Sequence, residues 1–391
     1  MNRGPKRRVP FFRHDLGASE LAQVAEVLKG EILTTGEYVG QFERKLADYL
    51  GRKHVLAVSS CTGALHLSLL GLGIGPGDEV ITTPMTFIAT ATAILEAGAT
   101  PVFVDVEPYT GNLNADLIEA AITPRTRAIM PVHLYGLMCD MRALRLIADR
   151  HGLKIVEDSA HCVEAKRDGV GPGELSDTAC FSFYATKNLT CGEGGALATD
   201  NTTLYEKLKL LHLHGMTKTA FDRSREGYRH WDMVILGWKY NMSNIEAALL
   251  LPQFDRIDAK LEQRTALARR YDERLAAVHD VRRPGALPNT VHSRHVYPVR
   301  VAGEKRDGVI ELLKADQIGC VVNYRAVHLM QYFREHYGHK SGDFPMAERM
   351  GDETISLPFY PGMALGDVDI VADALERALT QVAEDCAPCV L

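Results

Sequence analysis

From His54 to Thr199, short unbroken apolar runs alternate with helical segments, and no other feature restricts the chain as much. The runs are His54–Ser59, Glu79–Phe87, Pro101–Val106, Arg127–His133, Lys154–Glu157, Ala179–Phe183 and Ala196–Thr199. A sheet with one wet face would alternate apolar and polar residues. Unbroken runs predict strands covered on both faces, in a mostly parallel sheet. Between them Gly63–Leu72, Ala89–Ala97 and Ala115–Ile122 are predicted helices, the last capped by Asn114. The expected class is α/β, with a large domain built on a mostly parallel seven-stranded sheet.

Two helices precede the sheet. One ends near Gly30 with Leu21, Val24, Val27 and Leu28 on one face; the other carries Val39, Phe42, Leu46 and Leu50. After the sheet, Ser243 and Glu246 form a capping box that opens a long helix. Ile245, Leu249, Phe254 and Ile257 line its apolar side, and Pro252 predicts a kink. Beyond about residue 260 the pattern changes: a strand at Val296–Val301, a helix at Asp307–Asp316, a strand at Cys320–Tyr324 and a final helix from near Asp367. This predicts a smaller α+β domain at 256–391 beside a large domain at 1–255, a division that 391 residues allow. Asp222–Trp231, with Arg223, Arg225, Arg229 and His230 around Gly227, reads as a mobile loop or a solvated charged face.

A formal net charge of −6 argues against a nucleic-acid partner, which would need a basic face. Arg3, Lys6, Arg7 and Arg8 make a basic start with no apolar run behind it. No stretch reaches the roughly 18 apolar residues of a membrane span. A soluble, cytoplasmic protein is expected. The eight cysteines are scattered and read as reduced thiols. Cys386 and Cys389 form a lone C-x-x-C with no second pair to complete a zinc site, so no metal is expected.

The chemistry centres on Phe181–Gly195, where an apolar run leads through Lys187 and a polar turn to Gly194-Gly195. Desolvation there lowers a lysine's pKa and frees the amine that attacks a carbonyl. That suggests a Schiff-base lysine for pyridoxal phosphate, although a strand-end lysine taken alone is more often a snorkelling surface residue. Other parts fit such a cofactor. Ser60-Cys61-Thr62-Gly63 enters a helix and offers N–H groups of Thr62 and Gly63 to a phosphate, with the Ser182 hydroxyl, or is an ordinary cap. Asp158 ends a buried strand, where a carboxylate would keep a pyridine nitrogen protonated; it is alternatively a helix cap. Glu157, its neighbour, faces the other way. His161 is placed for the ring hydroxyl or as a structural histidine, and Phe87 for stacking or for the core.

These segments resemble the sugar-nucleotide aminotransferases of the DegT family, within the fold-type I pyridoxal phosphate enzymes. The resemblance runs over essentially the whole chain, through Leu33–Gly36, Ser60–Leu65, Pro84–Thr90, Gly98–Asp105, Val132–Gly136, Glu157–His161 and Phe181–Gly195. It implies that Lys187 carries the cofactor and shuttles the proton, Asp158 pairs with the pyridinium, Phe87 stacks on the ring, and Ser182, Thr62 and Gly63 hold the phosphate. His161 stands where the family has Gln or His. The resemblance also implies a homodimer whose partner chain reaches the phosphate site through Gly237–Ser243, using Lys239 or Asn241. Relatives commonly carry asparagine and arginine at those two positions, and the Lys-Tyr-Asn form resembles the branch that makes UDP-4-amino-4-deoxy-arabinose. Thr35 in the lead-in, and Arg325 and His328 in the Val321–Leu329 loop, are the expected substrate contacts.

The implied reaction is a ping-pong transamination. Glutamate gives its amino group to the cofactor, which passes it to a 4-keto sugar (a 3-keto sugar being the variant) on a nucleoside diphosphate. A keto-cyclitol acceptor would use the same catalytic set. The family's dehydratases replace the lysine with histidine, and a regulator that kept only the fold would have lost Lys187 or Asp158.

Overall fold

The computed structural model describes residues 7–218, 230–285 and 287–385. Arg3, Lys6, the stretch from Asp222 to Arg229, and Cys386 with Cys389 lie outside the described residues.

Helices α1 (Ala18–Lys29) and α2 (Glu37–Leu50) lead into β1 (His54–Val58) and α3 (Cys61–Gly71). The alternation continues with β2 (Glu79–Thr82), α4 (Ile88–Glu96), β3 (Thr100–Phe103), β4 (Thr126–Ile129), α5 (Met141–His151) and β5 (Lys154–Asp158). After the short β6 (Lys166–Arg167) come β7 (Thr178–Ser182), β8 (Gly195–Thr199) and α6 (Thr202–Leu211). All seven expected strands join one sheet in the order β1-β8-β7-β5-β4-β2-β3, and only β8 runs against its neighbours. β7 and β8 are buried at every position, as their unbroken apolar runs require.

This topology gathers one edge. β1, β2, β5 and β7 end there, and β8, running the other way, begins there. The starts of α3 and α4, Asp158 and Ser182 therefore share that edge. Gly195 lets β8 enter beneath the first turn of α3: a Cβ on it would lie 2.4 Å from the Ser60 carbonyl carbon and 2.5 Å from the Cys61 nitrogen.

α7 (Asn244–Phe254) opens with the expected box, the Glu246 carboxylate accepting from Ser243 N–H at 2.7 Å. It stops two residues after Pro252, and α8 (Ile257–Arg274) restarts the helix, so the kink is a full break. A further pair of short strands forms where β9 (Thr290–Val291) meets β6. The C-terminal part holds β10 (Tyr297–Arg300), α9 (Gly303–Ala315), α10 (Gln331–Tyr337), α11 (Pro345–Glu353), β11 (Thr354–Leu357) and α12 (Leu365–Asp385). β10 and β11 pair antiparallel over a separate apolar cluster that also takes in Val9.

Three local expectations change. The α1 face turns outward: Leu21 is 71% and Leu28 60% exposed, while Val27 and Glu20 are buried, Glu20 against Arg256 at 2.7 Å. Ala115–Ile122 forms two 3₁₀ turns, with Asn114 Oδ1 accepting from Asp116 N–H; Thr123-Pro124 stops a helix too short to stand alone. Cys320–Tyr324 makes one bridge, Val321 to Ser356, because the chain then leaves the small sheet and Asn323 accepts from the Tyr135 hydroxyl. β11 carries the pairing instead.

Candidate active site

Lys187 sits in the loop between β7 and β8, five residues past Ser182. Tyr184 and Gly192 bridge across its base, and Gly192 turns at φ +89°. Asn188 clamps the loop by donating to Glu164 at 3.2 Å and to Ser293 O at 2.9 Å. Glu164 in turn accepts from buried Arg264. Lys187 keeps part of its length open to solvent while its ammonium is crowded by protein. That burial lowers its pKa to about 8, with the Asp158 carboxylate and the Cys61 and Cys162 thiols pulling the other way.

Asp158 closes β5. Its Oδ2 accepts from the Thr90 hydroxyl at 2.7 Å and its Oδ1 from Ala160 N–H at 3.2 Å. Burial raises its pKa; those two donors and Lys187 oppose the rise. Glu157 points to the opposite face, where its carboxylate meets His133 Nε2 at 2.7 Å and Gly173 N–H at 3.0 Å. Strand alternation thus leaves one carboxylate for the site.

His161 is buried, and Tyr135 N–H donates to its Nδ1 at 3.1 Å. The proton therefore resides on Nε2, 3.2 Å from the Tyr324 hydroxyl. Tyr135 presents that N–H from a left-handed backbone, φ +60°, a strain of about 1–2 kcal/mol for a non-glycine. Burial and the neighbouring Lys187 hold His161 well below the usual histidine range, so the ring is neutral. Phe87 precedes α4 and is 56% exposed, its ring 6.0 Å from that of Tyr324. It is not a core residue. An aromatic face left open at the start of the helix whose Thr90 bonds Asp158 suits a flat cationic ring.

Ser182 pairs with Gly195, which packs on Ser60 and Cys61, and its hydroxyl accepts from Tyr184 N–H at 3.3 Å. Gly63 N–H is already used, donating to Ser60 Oγ at 3.0 Å. Of the two expected α3 donors, that leaves Thr62 N–H outside the cap. Thr35 Oγ1 donates to Met242 O at 2.8 Å and accepts from Asn241 Nδ2 at 2.6 Å, and Lys239 donates to Asn241. Arg325 is exposed beside Tyr324. His328 is not available to a substrate: it is fully buried, with Nε2 3.0 Å from Glu348. The 3₁₀ turn at Val327–Leu329 aims it inward, which corrects the expectation for that residue.

Two contributors carried no sequence signal. His295 stacks on His161 at 4.3 Å, buried, its Nδ1 without a partner among the described residues. Thr90 is a small residue in a small-residue helix. Both come from elements remote in sequence from Lys187.

The family model for the DegT/DnrJ/EryC1/StrS aminotransferases matches residues 14–376. The chain belongs to that family. It is 42% identical over 373 residues to the spore coat polysaccharide biosynthesis protein SpsC of Bacillus subtilis, covering 94% of this chain and 96% of that one. The PLP form of sugar aminotransferase Spr1654 from Streptococcus pneumoniae superposes with a TM-score of 0.90 at 30% identity, covering 96% of this chain and all of that one. DesI, solved in the presence of its TDP-sugar product, superposes with a TM-score of 0.87 at 30% identity, covering 98% and 95%. The protein is thus a pyridoxal phosphate-dependent sugar aminotransferase with the fold-type I architecture. Among the described residues no helix is long and apolar enough to cross a membrane.

Proposed function

We propose that this DegT-family enzyme takes its amino group from glutamate and delivers it to C4 of a keto-sugar carried on a nucleoside diphosphate. The observation that carries this reading is Lys187, its pKa lowered to about 8 within the field of the buried Asp158 carboxylate. Bound there, pyridoxal phosphate supplies an electron sink that makes the carbon beside the amino nitrogen acidic. Lys187 would remove a proton from that carbon in the first half-reaction and return one to the sugar carbon in the second. Asp158 would hold the cationic ring nitrogen, Phe87 would offer the ring a face, and neutral His161 would turn its Nε2 proton from the Tyr324 hydroxyl to the ring hydroxyl. Thr62 N–H and the Ser182 hydroxyl hold the phosphate, with Gly63 N–H joining where Ser60 releases it. Exposed Arg325 suits a diphosphate by its two-pronged geometry, and the TDP-sugar product of DesI supports a nucleotide-linked acceptor. The working form is a homodimer in which Lys239 and Asn241 serve the partner's phosphate site, and Thr35 beside them contacts the substrate.

The test offers the pyridoxamine phosphate-loaded enzyme UDP-, dTDP- and GDP-linked 4-keto and 3-keto sugars and follows the return of the cofactor absorbance. Fast return with a 4-keto nucleotide sugar supports the reading. Return only with free keto-sugars or keto-cyclitols rejects it.

A further inference from the structure

A pair of buried threonine hydroxyls leads from the β2–α4 connection to the Asp158 carboxylate. Thr90, in the first turn of α4, places Oγ1 2.7 Å from Asp158 Oδ2. Thr86 places its own Oγ1 2.7 Å from Thr90 Oγ1. Both residues are buried, Thr90 completely. The direction of each bond follows from counting protons. An ionised carboxylate only accepts, so the single Thr90 proton goes to Oδ2, and Thr90 Oγ1 accepts from Thr86. On the other side Oδ1 takes Ala160 N–H and, more weakly, the Cys61 thiol at 4.0 Å.

We propose that Thr90 is a positioning residue for Asp158, with Thr86 behind it, the two hydroxyls fixing the carboxylate's orientation and holding it ionised toward a cationic ring nitrogen. The inference rests on the assignment of Asp158 to the cofactor's ring nitrogen. Burial alone pushes this carboxyl toward its neutral form, which would not hold a pyridinium. The α4 start supplies the counterweight. A hydroxyl to a buried carboxylate is among the stronger protein hydrogen bonds, and the second hydroxyl polarises the first. Phe87, the extended N-cap of α4, separates Thr86 from the helix, and the chain's turn into α4 brings the two hydroxyls together.

The experiment compares Thr90→Val, Thr90→Ser, Thr86→Val, Asp158→Asn and the double variant Thr90→Val/Asp158→Asn. Two quantities are read: the pyridoxal phosphate dissociation constant of the apoenzyme, by tryptophan fluorescence, and the single-turnover rate of the glutamate half-reaction. Far-UV circular dichroism confirms that each apoenzyme is folded. Thr90→Val should weaken binding and slow the half-reaction, together by roughly ten- to hundredfold. Thr90→Ser should restore both, Thr86→Val should lose less, and the double variant should be no worse than Asp158→Asn alone. The proposal is overturned if Thr90→Val matches wild type while Asp158→Asn does not, or if the two losses add in the double variant. If Asp158→Asn itself binds and reacts as wild type, the assignment of Asp158 falls and takes the relay with it.

Discussion

Moving a lysine from water to the crowded floor beside β5 strips hydration from its ammonium, and the Asp158 carboxylate restores only part of that loss. The sign gives a pH prediction. The neutral amine is the reactive form, so capture of pyridoxal phosphate by the apoenzyme should accelerate as pH rises, half-maximal near pH 8. Asp158 favours the charged ammonium, so Asp158→Asn should move that midpoint down; stopped-flow absorbance reads both curves. Lys187→Ala should bind cofactor without turning over, and borohydride followed by mass spectrometry should find no adduct on the chain. Residues on the rim separate in the same way. Arg325→Ala should raise KM for the nucleotide sugar about tenfold with kcat little changed, as expected for losing a charge-assisted contact made equally throughout the reaction. His328→Ala should leave that KM alone and lower the unfolding free energy by about 2 kcal/mol, because Glu348 loses a buried partner.

At the scale of elements, the site depends on how closely β8 passes under α3. Gly195→Ala would drive a methyl into the Ser60–Cys61 backbone, which has no soft side chain to yield. A loss of about 3 kcal/mol in urea unfolding is expected, together with weaker cofactor binding, since the displaced turn carries Thr62 and Gly63. The seven strands were legible because strands buried on both faces leave unbroken apolar runs, and polar residues at their ends, such as Asp158 and Ser182, stand out against those runs. The outward turn of α1 leaves no mark in the sequence, because Leu21 and Leu28 have helical spacing whether they meet this chain or something outside it. β11 carries no boundary signal, because Thr354–Leu357 follows directly on α11 with no turn residue between. Thr90 and His295 were invisible for a different reason: each matters through one neighbour brought in by the topology, Asp158 or His161, and periodicity records no such pairing. His328 shows the converse, a residue whose chemistry suited a ligand and whose 3₁₀ turn faces it into the core.

For the whole molecule, the proposed homodimer makes a specific demand: Lys239 of one copy would serve the phosphate site of the other. The Gly237–Ser243 segment runs beside the β1 end of its own chain, with Ser59 N–H donating to Tyr240 O at 2.6 Å and the Tyr240 ring 3.2 Å from where a Gly63 Cβ would be. Lys239 is exposed, its ammonium resting on Asn241 and not on the α3 turn. In the proposed homodimer this exposed cation would neutralise phosphate charge in the facing copy. Complementation decides the matter. Lys187→Ala and Lys239→Ala should each form inactive or feeble homodimers. When mixed and allowed to exchange subunits, half the dimers are mixed, and each contains one site with both lysines intact, donated by opposite chains. Activity should then recover to about a quarter of wild type, as two-fold symmetry and random exchange require. If Lys239 serves its own chain, every mixed dimer instead holds one Lys187 defect and one Lys239 defect in separate sites, and mixing restores nothing.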